Sequence, residues 1–274
     1  MSYTYSKHET LLKLDNVGLR YGDRWILRGV TTEVQNIDRP GHEQGQVVCF
    51  LGPSGIGKTQ LARLIAGLNT PTEGHIDIMR RGPGELHRVF PGECGFVAQS
   101  YPLFPYMRVQ EQLFLAAKLG GIPDAADRIH KYLMALNMDG QDLSKFPKQF
   151  SGGQRQRLAI IRQLLCSGHF IILDEPFSGL DIKAKTKACQ LIQQVAQMHT
   201  LNTIIVITHD VSEGMSCADM VWLMGVEGKG EPAHIIDTYD LAADGLAWRP
   251  DIHDEPAFKE RVSEIKRRFL EVAP

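Results

Sequence analysis

The chain carries a glycine-rich segment, Gly52-Pro53-Ser54-Gly55-Ile56-Gly57-Lys58-Thr59, that fits the pattern G-x-x-x-x-G-K-[ST]. Its glycines let backbone N–H groups close around phosphate oxygens, Lys58 adds a positive charge, and Thr59 offers a hydroxyl to Mg²⁺. A predicted buried strand over 47–51 precedes the segment and a predicted helix over 60–68 follows it, so the phosphates would lie at a helix N-terminus. An ordinary glycine-rich turn is the alternative. The intact Lys-Thr ending favours a loop that binds ATP or GTP.

Composition narrows the class of protein. With 274 residues the chain can bury a sizeable core, as one domain with a subdomain or as two modest domains. A net charge of -2 and scattered Lys and Arg argue against nucleic acid as the main ligand. The five cysteines are far apart and mostly in apolar segments, which predicts small core residues in a reducing cytosol. The first ten residues lack the apolar core of a signal peptide, and no apolar run approaches the roughly 20 residues of a membrane helix. We therefore expect a protein that is not secreted and that reaches a membrane only through a partner.

Short β-branched runs alternate with helical periods over much of the chain, which predicts an α/β fold with a parallel sheet covered on both faces. Alternation near the N-terminus predicts antiparallel strands, and the polar segment 36–45 predicts an exposed loop. We expect a single unit with four parts: a mainly antiparallel β subdomain over 1–50, a nucleotide-binding core over 51–99 and 151–225, a helical subdomain over 100–150, and a C-terminal extension over 226–274. The extension is predicted to end in an amphipathic helix that packs on the body.

Two acidic residues, Asp174 and Glu175, directly follow the apolar run Phe170-Ile171-Ile172-Leu173. A buried parallel strand would deliver both carboxylates to the edge of the sheet beside the phosphate loop. Asp174 is predicted to serve the Mg²⁺ shell, because this cation prefers oxygen ligands. Glu175 is predicted to orient or deprotonate the water that attacks the γ-phosphate. Alone, the pair could be the polar end of a strand; together with the phosphate loop it indicates nucleotide hydrolysis.

The segment Ser151-Gly152-Gly153-Gln154 lies between these two sites. By chemistry alone it could be a capped helix start whose glycines let an anion approach bare amides. At this point the chain resembles the ATP-binding cassette (ABC) family, whose signature reads Ser-Gly-Gly-Gln. The resemblance implies a P-loop NTPase core with antiparallel β and helical subdomains, with ATP and Mg²⁺ as ligands. It also implies that Ser151 to Gln154 face the γ-phosphate held by a second copy, so that two ATP molecules are sandwiched in a symmetric dimer.

Four further positions match the family in chain order. Gln99 resembles the glutamine that contacts Mg²⁺ and the attacking water, and Asp181, in Ser178-Gly179-Leu180-Asp181, resembles the loop that communicates across the dimer. His209 resembles the histidine that contacts the γ-phosphate. Tyr21 resembles the aromatic residue that stacks on adenine, with a core tyrosine as the alternative. A histidine after a strand is by itself usually structural; its place in this series favours a catalytic role.

The resemblance further implies the partners and the location of the chain. The segment 100–109 resembles the groove of importer subunits that receives a helix of a transmembrane permease, and apolar residues with prolines suit an exposed docking surface. We therefore expect the ATPase subunit of an importer on the cytoplasmic face of the membrane, with permease subunits and a substrate-binding protein. The tail is similar to ATPases of the nitrate, sulfonate and taurine uptake group. An exporter or lipid-transport complex, and a soluble cassette protein outside transport, are the alternatives.

Overall fold

The computed structural model describes residues 5–38, 45–79, 85–249 and 251–273, so that most of the predicted loop 36–45 lies outside the described residues. Within these ranges the chain forms two sheets and a set of helices. The strands are β1 (Ser6–Tyr21), β2 (Arg24–Asp38), β3 (Gln46–Leu51), β4 (Glu73–Met79), β5 (Leu86–Arg88), β6 (Cys94–Val97), β7 (Phe170–Asp174), β8 (Thr203–Thr208), β9 (Met220–Gly225) and β10 (His234–Asp240). The helices are α1 (Lys58–Ile65), α2 (Val109–Leu119), α3 (Ala125–Ala135), α4 (Gly152–Cys166), α5 (Ile182–Ala196), α6 (Val211–Cys217) and α7 (Pro256–Glu271).

The larger sheet has the strand order β10-β9-β3-β8-β7-β6 and is parallel except for β10. Successive residues of β3 point to opposite faces: Val47, Cys49 and Leu51 join one apolar core, whereas Val48 and Phe50 join the other. All six residues of β3 are buried. This two-sided burial is the reason why the strand reads as a continuous apolar run, and the α/β fold predicted from the sequence is confirmed.

The smaller sheet is antiparallel, with the strand order β2-β1-β4-β5. Its long strand β1 continues through Asn16, which has a φ of 49° where the pairing register shifts. Strand β2 extends to Asp38, so residues 36–38 of the predicted loop are strand. The sequence predicts an antiparallel subdomain over 1–50 and assigns 51–99 to the nucleotide-binding core. In the structure β4 and β5, which lie within 51–99, belong to the antiparallel sheet. The pairing of β4 with β1 is a contact between distant segments that local periodicity does not reveal.

Helices α2, α3 and α4 pack against one another between the strands β6 and β7 in the sequence. The sequence has a helical period over 110–136, interrupted at 120–123, and α2 ends at Leu119, next to Gly120, where a methyl group would lie 2.0 Å from the carbonyl oxygen of Leu165. Only glycine permits this close approach of α2 to α4. The helices α2, α3 and α4 form a helical layer, whose buried residues join one apolar core with residues of the larger sheet. The N-terminus of α4 lies on this layer.

The C-terminal segment closes one face of the larger sheet. In α7, Phe258, Val262 and Ile265 are buried, and Phe269 packs against the same core. The predicted amphipathic helix therefore packs on the body of the protein. Four of the five cysteines are buried, and Cys166 is half-buried. Nowhere in the described ranges is there a helix that combines the length and the apolar character needed to cross a membrane.

Candidate nucleotide-binding site

The phosphate loop connects β3 to α1 at the carboxyl edge of the larger sheet. Gly57 precedes the helix with a φ of 106°, and a methyl group there would lie 3.0 Å from Leu27 Cδ2, so glycine meets both the conformation and the close packing. Lys58 begins the helix and is buried, with an exposed fraction of 6%. Its Nζ donates hydrogen bonds to the carbonyl oxygens of Gly52 (2.7 Å) and Pro53 (3.0 Å). Carbonyl oxygens of the phosphate loop thus bind the ammonium group of Lys58, a residue of the same loop.

The first acidic residue lies beside the loop, as the sequence predicts. The Thr59 hydroxyl donates a hydrogen bond to the Asp174 carboxylate, at 3.1 Å from Oδ2. Burial raises the pKa of Asp174, and the hydrogen bond from Thr59 opposes this shift only in part. Burial likewise lowers the pKa of Lys58, against the attraction of Glu175 and Asp174. Burial therefore disfavours the charged forms of both side chains, Asp174 and Lys58. Charged groups that are buried at such a cost in desolvation are typical of ligand-binding sites.

The second acidic residue, Glu175, has an unusual backbone. Its φ is 52°, a left-handed conformation that costs a non-glycine residue about 1–2 kcal/mol, and its N–H donates to the carbonyl oxygen of Ile207 at 2.8 Å. This turn directs the carboxylate across the end of the sheet. Both carboxylate oxygens lie 3.0 Å from His209 Nδ1, and Oε1 lies 4.0 Å from Lys58 Nζ. The Thr208 hydroxyl donates to Oε2 at 3.3 Å.

Gln99 and the segment 178–181 meet each other beside this cluster rather than within it. Gln99 Nε2 donates to the Ser178 hydroxyl at 2.9 Å, which ties the end of β6 to the loop after β7. The Asp181 carboxylate accepts from the N–H of Ala184 at 2.8 Å and so caps α5. Neither residue has a hydrogen bond with Thr59 or Asp174 among the described residues.

Tyr21 lies at the end of β1, next to the first turn of α1. Its hydroxyl donates a hydrogen bond to Gln60 Oε1 at 3.0 Å, and 53% of the residue is exposed. The alternative of a core tyrosine does not agree with this exposure. Tyr21 is instead placed beside the phosphate loop, with its ring open to solvent.

The signature segment is at a different place on the surface. Ser151 Oγ accepts from Gln154 N–H (3.3 Å), and Gln154 Oε1 accepts from Ser151 N–H (2.9 Å), which is a capping box at the start of α4. Gln154 Nε2 also donates to Gln141 at 2.9 Å. Gly152 and Gly153 are exposed, and a methyl group on either would have no atom within 4 Å. In the described ranges none of these four residues has a hydrogen bond to the phosphate loop.

Sequence reasoning missed one ion pair of the site, between Lys185 and Asp210. Lys185 Nζ lies 2.5 Å from Asp210 Oδ2, and Asp210 also caps α6 directly after His209. Burial alone raises the pKa of Asp210, but the hydrogen bonds from Lys185 and from the N–H of Glu213 outweigh it and hold the pKa below its ordinary value. The ion pair thus connects α5, the helix that Asp181 caps, to Asp210, which directly follows His209. The Thr-His-Asp sequence before a helix is the signal that could have indicated the cap.

Comparison with known proteins decides the family. A profile of the ABC transporter family matches residues 41–178, and the sulfate/thiosulfate import ATP-binding protein CysA of Pseudomonas putida is 33% identical over 82% of this chain and 68% of its own length. This chain belongs to the ABC transporter family. The Fe(3+) ions import ATP-binding protein FbpC of Escherichia coli is 34% identical over 85% of the chain and 64% of its own length. The chain spans about half to two thirds of the length of the curated relatives it matches.

Solved structures agree on the fold. The structure of CbiO1 from Clostridium perfringens, part of the ABC transporter complex CbiONQ, superposes with a TM-score of 0.69 at 22% identity and covers 97% of this chain and 98% of that one. The match extends over both sheets and the helical layer. A P-loop NTPase core with an antiparallel sheet and a helical layer, as predicted, is therefore the architecture of this ABC ATPase domain.

Proposed function

We propose that the chain is the ATP-hydrolysing subunit of an ABC importer. The observation that carries this proposal is the convergence of Lys58, Asp174, Glu175 and His209 at one edge of the sheet, at the N-terminus of α1. Lys58 would leave the carbonyl oxygens of its own loop and bind the β- and γ-phosphates. Glu175 would orient or deprotonate the attacking water, and His209 would hydrogen-bond the γ-phosphate as charge develops on it.

The donor set at the loop suits Mg²⁺ bound together with a nucleotide. Thr59 and Asp174 offer oxygen ligands 3.1 Å apart. Within the described residues no cluster of three or more His, Cys, Asp or Glu side chains could hold a metal ion. A site with one hydroxyl and one carboxylate fits a cation whose remaining ligands are phosphate oxygens and water, which is the usual environment of Mg²⁺. When bound, the cation would neutralise negative charge on the phosphates. Gln99 and Asp181 remain predicted participants.

We further propose that ATP is enclosed between two copies of the chain. Ser151, Gly152, Gly153 and Gln154 start a helix of fifteen residues whose first two residues, the glycines, are exposed. Helix N-termini bind anions, and two bare glycines allow phosphate oxygens to approach closely. Because these residues are not bonded to the phosphate loop of their own chain, the loop of a second copy is the proposed occupant, and two-fold symmetry then creates two equivalent sites.

The proposed partner in the membrane is a permease subunit. Phe104 and Tyr106 stack at 6.2 Å and are 41% and 76% exposed, and three apolar residues of α2 (Phe114, Leu115 and Leu119) are also exposed. Exposed large apolar side chains of this kind are typical of interaction sites, and a short helix of a transmembrane subunit would cover them. The chain would then lie on the cytoplasmic face of the membrane, peripherally, and a substrate-binding protein would deliver the solute.

The proposed solute is small, but the names of the relatives do not indicate which solute it is. Their names give sulfate/thiosulfate, Fe(3+) ions, maltose/maltodextrin and spermidine/putrescine as imported substrates. Such different solutes share one kind of ATPase because the permease and the binding protein contact the solute. The resemblance to the nitrate, sulfonate and taurine group stays a prediction, which transport assays with the neighbouring permease genes would test.

A mixing experiment tests the composite site. The first variant, Lys58→Ala, removes the cation of the phosphate loop. The second, Ser151→Arg, places a large side chain at an exposed position of the signature segment and so prevents a phosphate from approaching it. Alone, each should lose Mg²⁺-dependent phosphate release from ATP. If the two copies share sites, equal mixing should restore about a quarter of the wild-type rate, because half of the randomly paired dimers are mixed and each has one intact site. No restoration in mixtures that still form dimers would refute the shared site.

A further inference from the structure

Gln60, in the first turn of α1, accepts two hydrogen bonds with one oxygen. Its Oε1 accepts from the Tyr21 hydroxyl at 3.0 Å and from Asn69 Nδ2 at 3.3 Å. Tyr21 belongs to the antiparallel sheet, Gln60 to the phosphate-loop helix, and Asn69 to the segment after that helix. The three residues therefore join the two ends of α1 to the end of β1 through a single amide.

Neighbouring contacts fix the backbone on both sides of this amide. Thr72 N–H donates to the carbonyl oxygen of Gly18 at 2.8 Å, and the Arg20 N–H donates to the Thr72 hydroxyl at 3.0 Å. These bonds tie the end of β1 to the chain after α1. The backbone just before Tyr21 is thus held by Thr72, whereas the side chain of Tyr21, a residue that is 53% exposed, is held through its hydroxyl by Gln60.

We infer that Gln60 is a positioning residue for the nucleobase, which acts by holding the Tyr21 ring beside the phosphate loop. This inference rests on the proposed function, together with the prediction from the sequence that Tyr21 stacks on adenine. An exposed tyrosine samples several rotamers, and only those with the ring beside the loop can stack on a base whose phosphates are bound there. The hydrogen bond selects such a rotamer before the ligand arrives, so the ordering cost of binding falls. For one side chain and one exposed hydrogen bond, the expected gain in affinity is roughly 2- to 10-fold.

The test compares a ligand that carries a nucleobase with a ligand that has only the phosphates. Dissociation constants of ATP and of inorganic tripolyphosphate, both with Mg²⁺, are measured by calorimetry for the unchanged chain, Gln60→Ala, Tyr21→Phe and the double variant. Each single variant should weaken ATP by roughly 2- to 10-fold and leave tripolyphosphate unchanged. The double variant should be no weaker than either single variant, because both remove the same bond. At saturating ATP the Gln60→Ala variant should retain its rate of phosphate release, so that its KM rises and its kcat does not fall.

Tyr132→Phe is the matched control, since it removes a tyrosine hydroxyl on α3, in the helical layer, and should leave both ligands unaffected. An equal loss of ATP and tripolyphosphate in Gln60→Ala would place Gln60 on the phosphates and overturn the inference. Independent, additive losses in the double variant, or no loss in Gln60→Ala, would also overturn it. Each of these outcomes leaves the proposed ATPase standing, whereas failure of the unchanged chain to bind ATP would overturn both proposals.

Discussion

Replacement of Glu175 by glutamine should separate catalysis from nucleotide binding. The amide has nearly the shape of the carboxylate, and the left-handed backbone at φ 52° carries the same strain for either residue, so the fold around Ile207 should be retained. What changes is the charge and the ability to accept a proton. One oxygen that now accepts from His209 Nδ1 at 3.0 Å becomes an NH₂ group, which only donates.

The expected loss of turnover follows from that chemistry. A positioned general base contributes about 10²- to 10⁴-fold to a rate. Because each tenfold corresponds to about 1.4 kcal/mol in the barrier, Glu175→Gln should raise the barrier by about 3–5 kcal/mol. ATP affinity should not fall. The carboxylate lies 4.0 Å from Lys58 Nζ and competes with phosphate for that cation, so its neutralisation leaves binding equal or tighter.

The assay measures phosphate release at saturating ATP and Mg²⁺, the dissociation constant of ATP, and the mass of the protein with ATP by light scattering. Glu175→Gln should bind ATP, release phosphate at least about a hundredfold more slowly, and accumulate as a dimer with ATP. Glu264→Gln on α7, where the carboxylate pairs with Arg261, is the matched control and should behave as wild type. Turnover within about threefold of wild type in Glu175→Gln would remove Glu175 from the proposed role.

Three further substitutions test separate parts of the site. Lys58→Ala should weaken ATP binding by more than about tenfold, because a charge-assisted contact to phosphate is lost, whereas the exposed Lys187→Ala should not; calorimetry measures both. Asp174→Asn should raise the melting temperature of the nucleotide-free protein at pH 7. Burial raises the pKa of Asp174 above 3.8, so the ionised form costs stability at neutral pH, and the gain should shrink as the pH falls through the raised pKa toward 3.8; melting curves against pH measure it. Asp219→Ala should lower the free energy of unfolding by about 1–3 kcal/mol in urea, because the fully buried carboxylate accepts from Val47 N–H at 2.7 Å, near the start of the strand β3 that leads into the phosphate loop.

The parts of the fold that the sequence predicts well are those with strong local periodicity. The β-branched run at 203–208, which ends at a polar segment, predicts a strand, and β8 forms over the same residues. Strand β10 and helix α6 were not predicted. All residues of β10 are at least partly exposed, so the apolar pattern is weak, and α6 has only seven residues with Gly214 among them. Both elements depend on packing against distant parts of the chain.

A similar division holds for the site. The phosphate loop and the acids after β7 follow from local patterns, and the structure places Thr59 against Asp174 and Lys58 near Glu175. The left-handed backbone of Glu175 was not predictable, because strain of this kind arises when surrounding contacts force the conformation. The contact of Gln60 with Tyr21 was also missed, since the residues are 39 positions apart and the contact depends on how the two sheets pack.

The two glycines of the signature segment argue for a binding role outside their own chain. Glycine in a helix costs up to about 1 kcal/mol relative to alanine, so Gly152 and Gly153 weaken the start of α4. The chain itself does not require them: neither has a positive φ, and a methyl group on either would meet no atom within 4 Å. Ser151 and Gln154 already satisfy the capping box. A ligand or a second copy would give a reason for leaving this surface bare, and in the proposed dimer a triphosphate held by the other copy's phosphate loop would supply both the anion and the need for space.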